Sequence, residues 1–309
     1  MDQILASIEA PIPVRVSATD DPAELLRFAI DAHGRGAVAL ATLVEIRGGA
    51  ARTLGSHVVV AADGRFCGYV SGGCVEAAVA SEAFLAMTQG RDRTVKFGDG
   101  SPFFDIVLPC GGGISIAIHV LKNVGALQDV LERLGQRRTA GLAYSPERQT
   151  LEPVEPPPRA RWLERDFVGV YRPRTRVVLS GQTIEAQAVA RLAEASGYDV
   201  IIRRPGEEGR AAAGVIDRFT AVVLLHHDLD AEAAILQAAL RSPAFYIGAL
   251  GSTRTHRRRV ERLTALAFGR DEIDRIKAPI GMFGPTRDAT SLALSVLADI
   301  AAARLVAYA

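Results

Sequence analysis

The sequence predicts an α/β protein: an N-terminal mixed α+β domain followed by a C-terminal Rossmann-like domain with a doubly wound parallel sheet. Its 309 residues suit two domains, at ~150 residues per domain. Beyond residue 172, short apolar runs alternate with amphipathic segments, as in parallel sheets covered by helices. Before residue 146, strand-like and helix-like segments follow one another without strict alternation. We therefore expect domains at residues 1–145 and 173–309, with a linker at 146–172.

Composition limits the partners and the compartment. The formal net charge is +1, so no overall field attracts nucleic acid or an anionic membrane. No apolar run approaches the ~18 residues of a membrane span, and "MDQILASIEA" lacks the basic start of a signal peptide. Three cysteines, Cys67, Cys74 and Cys110, are too few for a disulfide framework. We expect a cytoplasmic protein with free thiols and with no nucleic-acid or membrane partner.

The N-terminal domain begins with a helix, because "DPAELLRFAIDAHG" has apolar residues at helical spacing and an acidic first turn. "AVALATLVEI" indicates a strand, and "HVVVAADGRFCGYV" indicates a hairpin that turns at Asp63 and Gly64. "VEAAVASEAFLAMTQG" indicates a helix that ends at Gly90. The remaining predicted elements are strands at "FFDIVLP" and "ISIAIHVL", a helix at "GALQDVLERLGQ" and a strand at "TAGLAYS".

The segment "SPERQTLEPVEPPPRARWLERD" has prolines and charges without periodicity, so we interpret it as a linker or a loosely packed crossing. The C-terminal domain then alternates regularly. Strands are expected at "TRVVLSG", "YDVIIRR", "FTAVVLLHHD" and "AFYIGALGS". Helices are expected at "EAQAVARLAEASG", "AEAAILQAALRS", "RTHRRRVERLTALAFG" and "RDATSLALSVLADIAAARLVA". This order is typical of a doubly wound sheet.

A glycine loop, "SGGCVE", lies where a predicted strand meets a predicted helix. Gly72 and Gly73 leave the main chain bare enough for a ligand to approach it, and Ser71, just before them, is a further expected ligand contact. Cys74 and Glu76 fall in the first helical turn, where free N–H groups and the helix dipole favour anions and lower the pKa of a thiol. The alternative is that Cys74 is a small buried apolar residue and the glycines only turn the chain.

A second loop, "LPCGGG", has a similar composition. Gly111, Gly112 and Gly113 follow Cys110, and three successive glycines can form a nest of N–H groups for an oxyanion. Two loops that carry cysteine and glycine predict one shared pocket for a soft metal, a sulfur-bearing group or an anion, with Cys74 and Cys110 beside it. The spacing of the two cysteines matches no zinc-binding pattern.

In order, "GYVSGGCVE", "LPCGGGI", "LLHHD", "YIGALGSTRTHRRRVERL" and "APIGMFG" resemble the XdhC/CoxI family over nearly the whole chain. These are accessory proteins for xanthine dehydrogenase and related molybdenum hydroxylases. The resemblance implies a non-catalytic chaperone that protects the molybdenum cofactor (molybdopterin) and supports its sulfuration. It also implies insertion of that cofactor into an apo molybdenum hydroxylase, with a cysteine desulfurase-type sulfur donor as a second partner. A homodimer is the expected oligomer.

The resemblance makes the two glycine loops the cofactor contacts and makes Cys74 and Cys110 the residues at the metal. The family's Gly-Ser-x-Pro-Arg run is altered here to "GGAARTLG", which keeps Arg52 and Gly55 but has Ala51 in place of the proline. Arg52 can hold a phosphate or a pterin carbonyl with its planar guanidinium. It can equally be a solvated loop arginine.

The nucleotide-binding fingerprint of the second domain is incomplete. In "SGQTIEA", Gly181 and Ala186 occupy the first and third positions, but Thr183 replaces the glycine that approaches a pyrophosphate. Arg203 and Arg204 end the second strand where an acid would bind the ribose of NAD, although an arginine there suits a 2′-phosphate. We expect a Rossmann-like fold without ordinary NAD binding. An NADP-dependent oxidoreductase is the alternative function.

Further polar residues follow the other strands of this domain. His226 and His227 are adjacent, so an extended chain turns one inward and one outward. Gly251, Ser252 and Arg254 precede or begin an arginine-rich helix, whose N-terminus can receive a phosphate of the cofactor. The alternative is a solvated face or a subunit surface. A third class of function is a scaffold that only bridges partners.

Overall fold

A computed structural model describes residues 11–99, 101, 111–203 and 214–308. The chain divides into two compact units, Met1–Arg172 and Pro173–Ala309, which we propose as its domains. The fold is α/β, as the sequence predicts: a mixed first unit and a parallel, doubly wound second unit.

The larger sheet of the first unit has six strands in the order β1-β4-β3-β2-β6-β5. The β1–β4 pair is parallel and the other pairs are antiparallel. The strands are β1 (Val14–Ser17), β2 (Val38–Arg47), β3 (His57–Ala61), β4 (Arg65–Gly68), β5 (Arg93–Gly98) and β6 (Gly113–Val120). Because β2 and β4 run in the same direction and β6 runs opposite to them, the ends of β2 and β4 and the start of β6 share one edge of the sheet.

Helices cover both faces of this sheet. Their bounds are α1 (Pro22–His33), α2 (Glu76–Gln89) and α3 (Gly125–Gly135). Helix α2 buries Val79 and Ala83 against one face, whereas α1 and α3 bury Leu26 and Leu127 against the other. Helix α2 ends at Gly90, whose φ of 64° is the left-handed conformation that the sequence predicts for this cap.

Residues 146–172, interpreted from the sequence as a linker, instead contain three strands of a second, antiparallel sheet. Its order is β8-β7-β10-β9. The strands are β7 (Ala140–Ser145), β8 (Thr150–Val154), β9 (Arg161–Leu163) and β10 (Asp166–Tyr171). Strand β9 is exposed and β8 has no buried residue, so neither carries an apolar periodicity that sequence reasoning could detect. Strands β1 and β5 were also missed, and the strand expected at "FFDIVLP" lies outside the described residues.

The second unit has one parallel sheet in the order β12-β11-β13-β14-β15. Its strands are β11 (Arg176–Ser180), β12 (Asp199–Arg203), β13 (Thr220–Leu224), β14 (Tyr246–Ala249) and β15 (Ile276–Lys277). Its helices are α4 (Ile184–Ala195), α5 (Leu229–Leu240), α6 (Thr253–Ala265), α7 (Arg270–Ile273) and α8 (Ala289–Ala307). Helices α4 and α8 pack on one face, and α5 and α6 pack on the other. The strand order reverses between β11 and β13, where doubly wound sheets bind ligands.

Helix α8 is long and apolar enough, by length and composition alone, to cross a membrane. In the second unit it packs along α4, and Leu292, Val296 and Ile300 are buried in the core between α8, α4 and the sheet. Packing in the core accounts for these residues, whereas Leu294, Leu305 and Val306 of the same helix are exposed.

Candidate functional site

The first glycine loop joins β4 to α2 and is folded around a buried carboxylate. Glu76 is 0% exposed, and its Oε1 accepts hydrogen bonds from the N–H groups of Val70 (3.1 Å) and Ser71 (2.8 Å). The Ser71 hydroxyl donates to the same carboxylate at 2.9 Å and accepts from the N–H groups of Gly73 and Cys74, both at 3.2 Å. Glu76, expected as a cofactor contact, is thus directed inward and holds the loop.

The tip of this loop faces solvent. Gly72, Gly73 and Cys74 are exposed, and Gly73 has a φ of 110° with no atom within 4 Å of the position that a Cβ would take. The N-cap of α2, Val75, provides no side-chain hydrogen bond, so the helix begins with N–H groups that its cap does not satisfy. The tip therefore presents bare backbone, a helix N-terminus and an accessible thiol at one place.

The second glycine loop is described from Gly111 onward, and Cys110 lies outside the described residues. A Cβ at Gly112 would overlap the carbonyl oxygens of Gly49 and Arg47, and a Cβ at Gly113 would overlap that of Asp99. Both residues are buried, so close packing of the protein's own backbone explains why they are glycine. The expected anion nest is not what these two glycines provide. Gly111 differs, because it is exposed and has open space around it.

Residues 48–52 follow β2, at the sheet edge where β2 and β4 end, and contact both glycine loops. We call this segment the connecting loop. At one end of this connecting loop, a Cβ at Gly48 would lie 3.5 Å from the Cα of Gly112. At the other end, a Cβ at Gly72 would lie 3.8 Å from the Cβ of Ala51. The two glycine loops, distant in sequence, therefore contact the same five-residue segment. The predicted pairing of Cys74 with Cys110 stays a prediction.

Arg52 lies at the end of the connecting loop. Its Nη1 pairs with Asp20 Oδ2 at 2.6 Å, its Nε is 3.4 Å from the carbonyl oxygen of Ser71, and its guanidinium lies 5.1 Å from the ring centre of Tyr69. It lines a cleft of about 310 Å³ whose other walls come from α1, the 51–57 segment and β10. Arg52 is thus half-buried and anchored, which differs from a freely solvated loop arginine.

His57 forms part of this cleft and was missed from the sequence, where it is a lone histidine in an apolar strand. Its Nδ1 is 3.0 Å from Thr42 Oγ1 and its Nε2 is 2.7 Å from the Tyr171 hydroxyl. Burial lowers the pKa of His57 to about 4, so the imidazole is neutral at pH 7. Burial also raises the pKa of Tyr171, which keeps the phenol protonated.

Arg47 fixes the start of β6 and was also missed. Its guanidinium donates to the carbonyl oxygen of Asp99 from Nη2 (2.9 Å) and Nε (3.2 Å), and from Nη1 to Ser115 Oγ (2.8 Å) and Glu45 Oε2 (2.7 Å). The hydrogen bond from Ser115 is the largest cause that lowers the pKa of Glu45. Arg47 therefore joins the end of β2 to β6 and to the residue that follows β5.

In the second unit, the β11–α4 turn lacks the second glycine of the fingerprint and borders a pocket of about 490 Å³. Gly181 has a φ of 147°, and a Cβ there would lie 2.7 Å from the carbonyl oxygen of Leu225. Thr183 is the N-cap of α4, and its hydroxyl accepts from the N–H of Ala186 at 3.4 Å. Ser180 Oγ lies 2.7 Å from His226 Nε2 and ties the ends of β11 and β13 together. Thr183, which stands where the fingerprint has its second glycine, therefore serves as the N-cap of α4.

The other predicted site residues of the second unit differ in how exposed they are to solvent. His226 is half-buried and His227 is exposed. Arg203 ends β12, and Arg204 lies outside the described residues. At the start of α6, Ser252 is the N-cap and Arg254 is exposed, and Gly251 precedes them with a φ of 127°.

The thiols differ in environment. Cys74 is exposed, whereas burial raises the pKa of Cys67 to about 12 and makes it unreactive. Within the described residues, no group of three or more His, Cys, Asp and Glu side chains is arranged to hold a metal ion. A metal site made only of described residues is therefore not formed.

Fold and site together define a two-unit protein with a Rossmann-like second unit and a glycine-rich, thiol-bearing edge on its first unit. Residues 177–300 match the XdhC Rossmann domain, and residues 32–98 match the XdhC and CoxI family. The chain belongs to the XdhC and CoxI family.

Two known proteins show how far this similarity extends. The molybdenum cofactor insertion chaperone PaoD of Escherichia coli (strain K12) is 50% identical over 297 residues, which cover 95% of this chain and 92% of the relative. A crystal structure described as that of a xanthine dehydrogenase from Bacillus halodurans has the same fold. It superposes with a TM-score of 0.70 at 20% identity, over 93% of this chain and 96% of that one.

Proposed function

We propose that this protein binds the molybdenum cofactor at the glycine-loop edge of its first unit, protects it and inserts it into an apo molybdenum hydroxylase. The observation that carries this proposal is the connecting loop 48–52, which touches both glycine loops. The relative that shares half of its residues is named a molybdenum cofactor insertion chaperone, which supports the same role for this chain.

The residues at this edge have different roles in binding the cofactor. The exposed main chain of Gly72 and Gly111 and the N-terminus of α2 provide N–H donors for the phosphate of the molybdopterin. Arg52, held by Asp20, provides a planar cation for a phosphate or a pterin carbonyl. Cys74, with Cys110 as its predicted partner, lies at the metal end of the cargo.

The finer assignments belong to the same proposal. The client is a xanthine dehydrogenase-type hydroxylase, and the cofactor is sulfurated while it is bound, with a cysteine desulfurase-type donor docking on the exposed Cys74 edge. The protein acts as a homodimer in the cytoplasm and catalyses no reaction of its own.

Co-expression with the cofactor biosynthesis enzymes tests the proposal. We expect the purified protein to carry molybdenum and pterin, measured by metal analysis and by pterin fluorescence after oxidation. Cys74→Ala combined with Cys110→Ala should lose most of both, whereas Ser81→Ala, an exposed change on α2, should not. Equal retention in the double-cysteine variant, with client activation unchanged, would make the thiols structural and would favour a scaffold.

Thr183, at the second glycine position of the fingerprint, counts against the alternative function. An NADP-dependent oxidoreductase needs close approach of a pyrophosphate at the β11–α4 turn, where Thr183 caps the helix. Titration with NADP should therefore show no tight binding and no hydride transfer. A tight NADP complex that turns over substrate would instead support the oxidoreductase function.

A further inference from the structure

The cleft lined by Arg52 in the first unit has the size and the lining of a small-molecule site. Its volume of about 310 Å³ is at the lower end of the ~300–1,000 Å³ range that such sites occupy. Leu25, Leu54 and Tyr69 contribute apolar or aromatic surface to it. Asp20 and Arg52 contribute opposite charges. This lining suits a flat ring system that carries polar groups along one edge.

Tyr69 and Arg52 join this cleft to the first glycine loop. The Tyr69 ring centre lies 4.2 Å from the guanidinium carbon of Arg15 and 5.1 Å from that of Arg52, so two cations hold the aromatic wall in place. Arg52 Nε lies 3.4 Å from the carbonyl oxygen of Ser71, whose hydroxyl in turn accepts from the N–H of Cys74. The cleft therefore adjoins the loop that presents the exposed thiol.

The Asp20 carboxylate can accept more hydrogen bonds than its partner supplies. Its Oδ2 accepts from Arg52 Nη1 at 2.6 Å, and Arg52 is its only donor among the described residues. An ionised carboxylate has two oxygens and about four lone-pair sites, so further donors can bind to Asp20. The Asp20 side chain is 68% exposed, and an exposed ion pair contributes little to stability. A ligand can therefore join this pair at little cost.

The adjacent carboxylate and guanidinium select the chemistry of the ligand. A simple anion would be repelled by Asp20, whereas a 2-amino-4-oxopyrimidine edge offers two N–H donors beside a carbonyl acceptor and complements both charges. We infer that the cleft binds the pterin ring of the molybdenum cofactor by this edge. Asp20 accepts from the 2-amino group and the ring N–H, and Arg52 donates to the 4-oxo group. This inference rests on the proposed function and adds Asp20 as the residue that recognises the pterin.

Asp20→Asn tests this contact with little risk to the fold, because the change is nearly isosteric and the position is exposed. We expect free pterin, measured by fluorescence titration of the full chain, to bind Asp20→Asn about ten- to a hundredfold more weakly than wild type, since an amide has only one acceptor atom. Asp31→Asn, at an exposed position on α1, is the matched control and should bind pterin like wild type. Equal binding by Asp20→Asn and wild type would overturn the inference, as would no binding to wild type.

A second ligand separates recognition by Asp20 from a purely structural role. Lumazine has a carbonyl oxygen where pterin has its 2-amino group, so it should bind wild type at least about tenfold more weakly than pterin. Asp20→Asn should lose this preference, because its amide N–H can donate to that carbonyl oxygen. If Asp20 only anchored Arg52, the substitution would weaken the binding of pterin and of lumazine equally, and this outcome would contradict the inference.

Guanosine carries the same hydrogen-bonding edge as pterin. Tighter binding of guanosine than of pterin to wild type would assign the cleft to a nucleotide and overturn the inference.

The proposed function has a different readout, which is the molybdenum that co-purifies with the chain. If that molybdenum depends on Cys74 and Cys110 but pterin binding does not depend on Asp20, the proposed function stands and this inference fails. If pterin binding depends on Asp20 but no molybdenum co-purifies, the pterin cleft is supported and the insertion role fails.

Discussion

At the scale of single residues, neighbouring side chains have different roles depending on whether they face the interior or the solvent. Glu76 and Cys74 lie on either side of Val75, the N-cap of α2, yet the carboxylate is fully buried and the thiol is exposed. The buried Glu76 organises the loop through its hydrogen bonds to residues 70 and 71, and this leaves Cys74 and the glycines at the surface. Glu76 therefore positions the loop, whereas Cys74 and the glycines are the residues that can contact a ligand.

Glu76→Gln is expected to lower the free energy of unfolding by about 1–3 kcal/mol, because an amide cannot accept with both of its terminal atoms from the N–H and O–H donors around it. Chemical denaturation measures this change. Glu261→Gln, at an exposed position on α6, is the matched control and should change stability by less than about 0.5 kcal/mol. A Glu76→Gln variant as stable as the control would show that the buried hydrogen bonds do not hold the loop.

Alkylation with iodoacetamide should distinguish the two described cysteines. Cys74 is exposed, whereas Cys67 is buried and its pKa is raised to about 12 by that burial. Peptide mass spectrometry of the native protein should find modification at Cys74 and none at Cys67, and both should react after denaturation. Fast labelling of Cys67 in the native protein would contradict the packing of β4.

At the scale of elements, one carboxylate connects the two sheets of the first unit. Asp92 precedes β5, and its carboxylate accepts from the Val120 N–H (3.0 Å) and the Tyr144 hydroxyl of β7 (3.0 Å), and lies 2.7 Å from His119 Nδ1 of β6. Burial raises the pKa of Asp92, but the hydrogen bonds from His119 and Val120 outweigh it, so the pKa is lowered. The sheets are thus joined by an ionised group.

This arrangement predicts acid sensitivity. A carboxyl whose pKa is lower in the folded protein stabilises the fold above its unfolded pKa of ~3.9. That contribution is lost as the pH falls through the folded value. Wild type should therefore lose stability below about pH 4, and Asp92→Asn should be less stable at pH 7 by about 1.5–3 kcal/mol but show a smaller loss in acid. Urea unfolding at pH 3 to 7 measures both. If wild type and Asp92→Asn lose equal stability in acid, that loss comes from other carboxyl groups.

At the scale of the whole molecule, each unit has its own hydrophobic core. The second unit buries one apolar cluster on each face of its sheet, and the first unit buries clusters around α2 and between α1 and α3. Stability is thus generated within each unit, as is usual for domains of this size. The candidate cofactor site is built entirely from segments of the first unit.

The separate cores predict that residues 173–309, expressed alone, fold cooperatively with a helical circular dichroism spectrum. The same segment carrying Val223→Asp, which places a carboxylate in the middle of its fully buried strand β13, should not fold. If residues 173–309 lack a cooperative transition, the core of this unit is incomplete without the rest of the chain.

Much of the second unit could be predicted from its sequence, because its long helices repeat apolar residues with a period near 3.6 and its buried strands are short continuous apolar runs. Strands β8 and β9 could not be predicted in the same way, because neither has a buried residue and so neither carries such a pattern. At the candidate site, the sequence singled out the right loops but not the roles within them. Arg47 and His57 gave no signal, since their importance comes from partners that are distant in the chain.

The sequence by itself determined the family, the α/β class and the positions of the two glycine loops, because motifs and periodicity are properties of neighbouring residues. Only the tertiary structure decided which glycines face solvent and which are enclosed. Gly112 must be glycine because the backbone of Gly49 lies against it, and Gly73 has open space instead. Both facts depend on how distant segments pack, which no local pattern encodes.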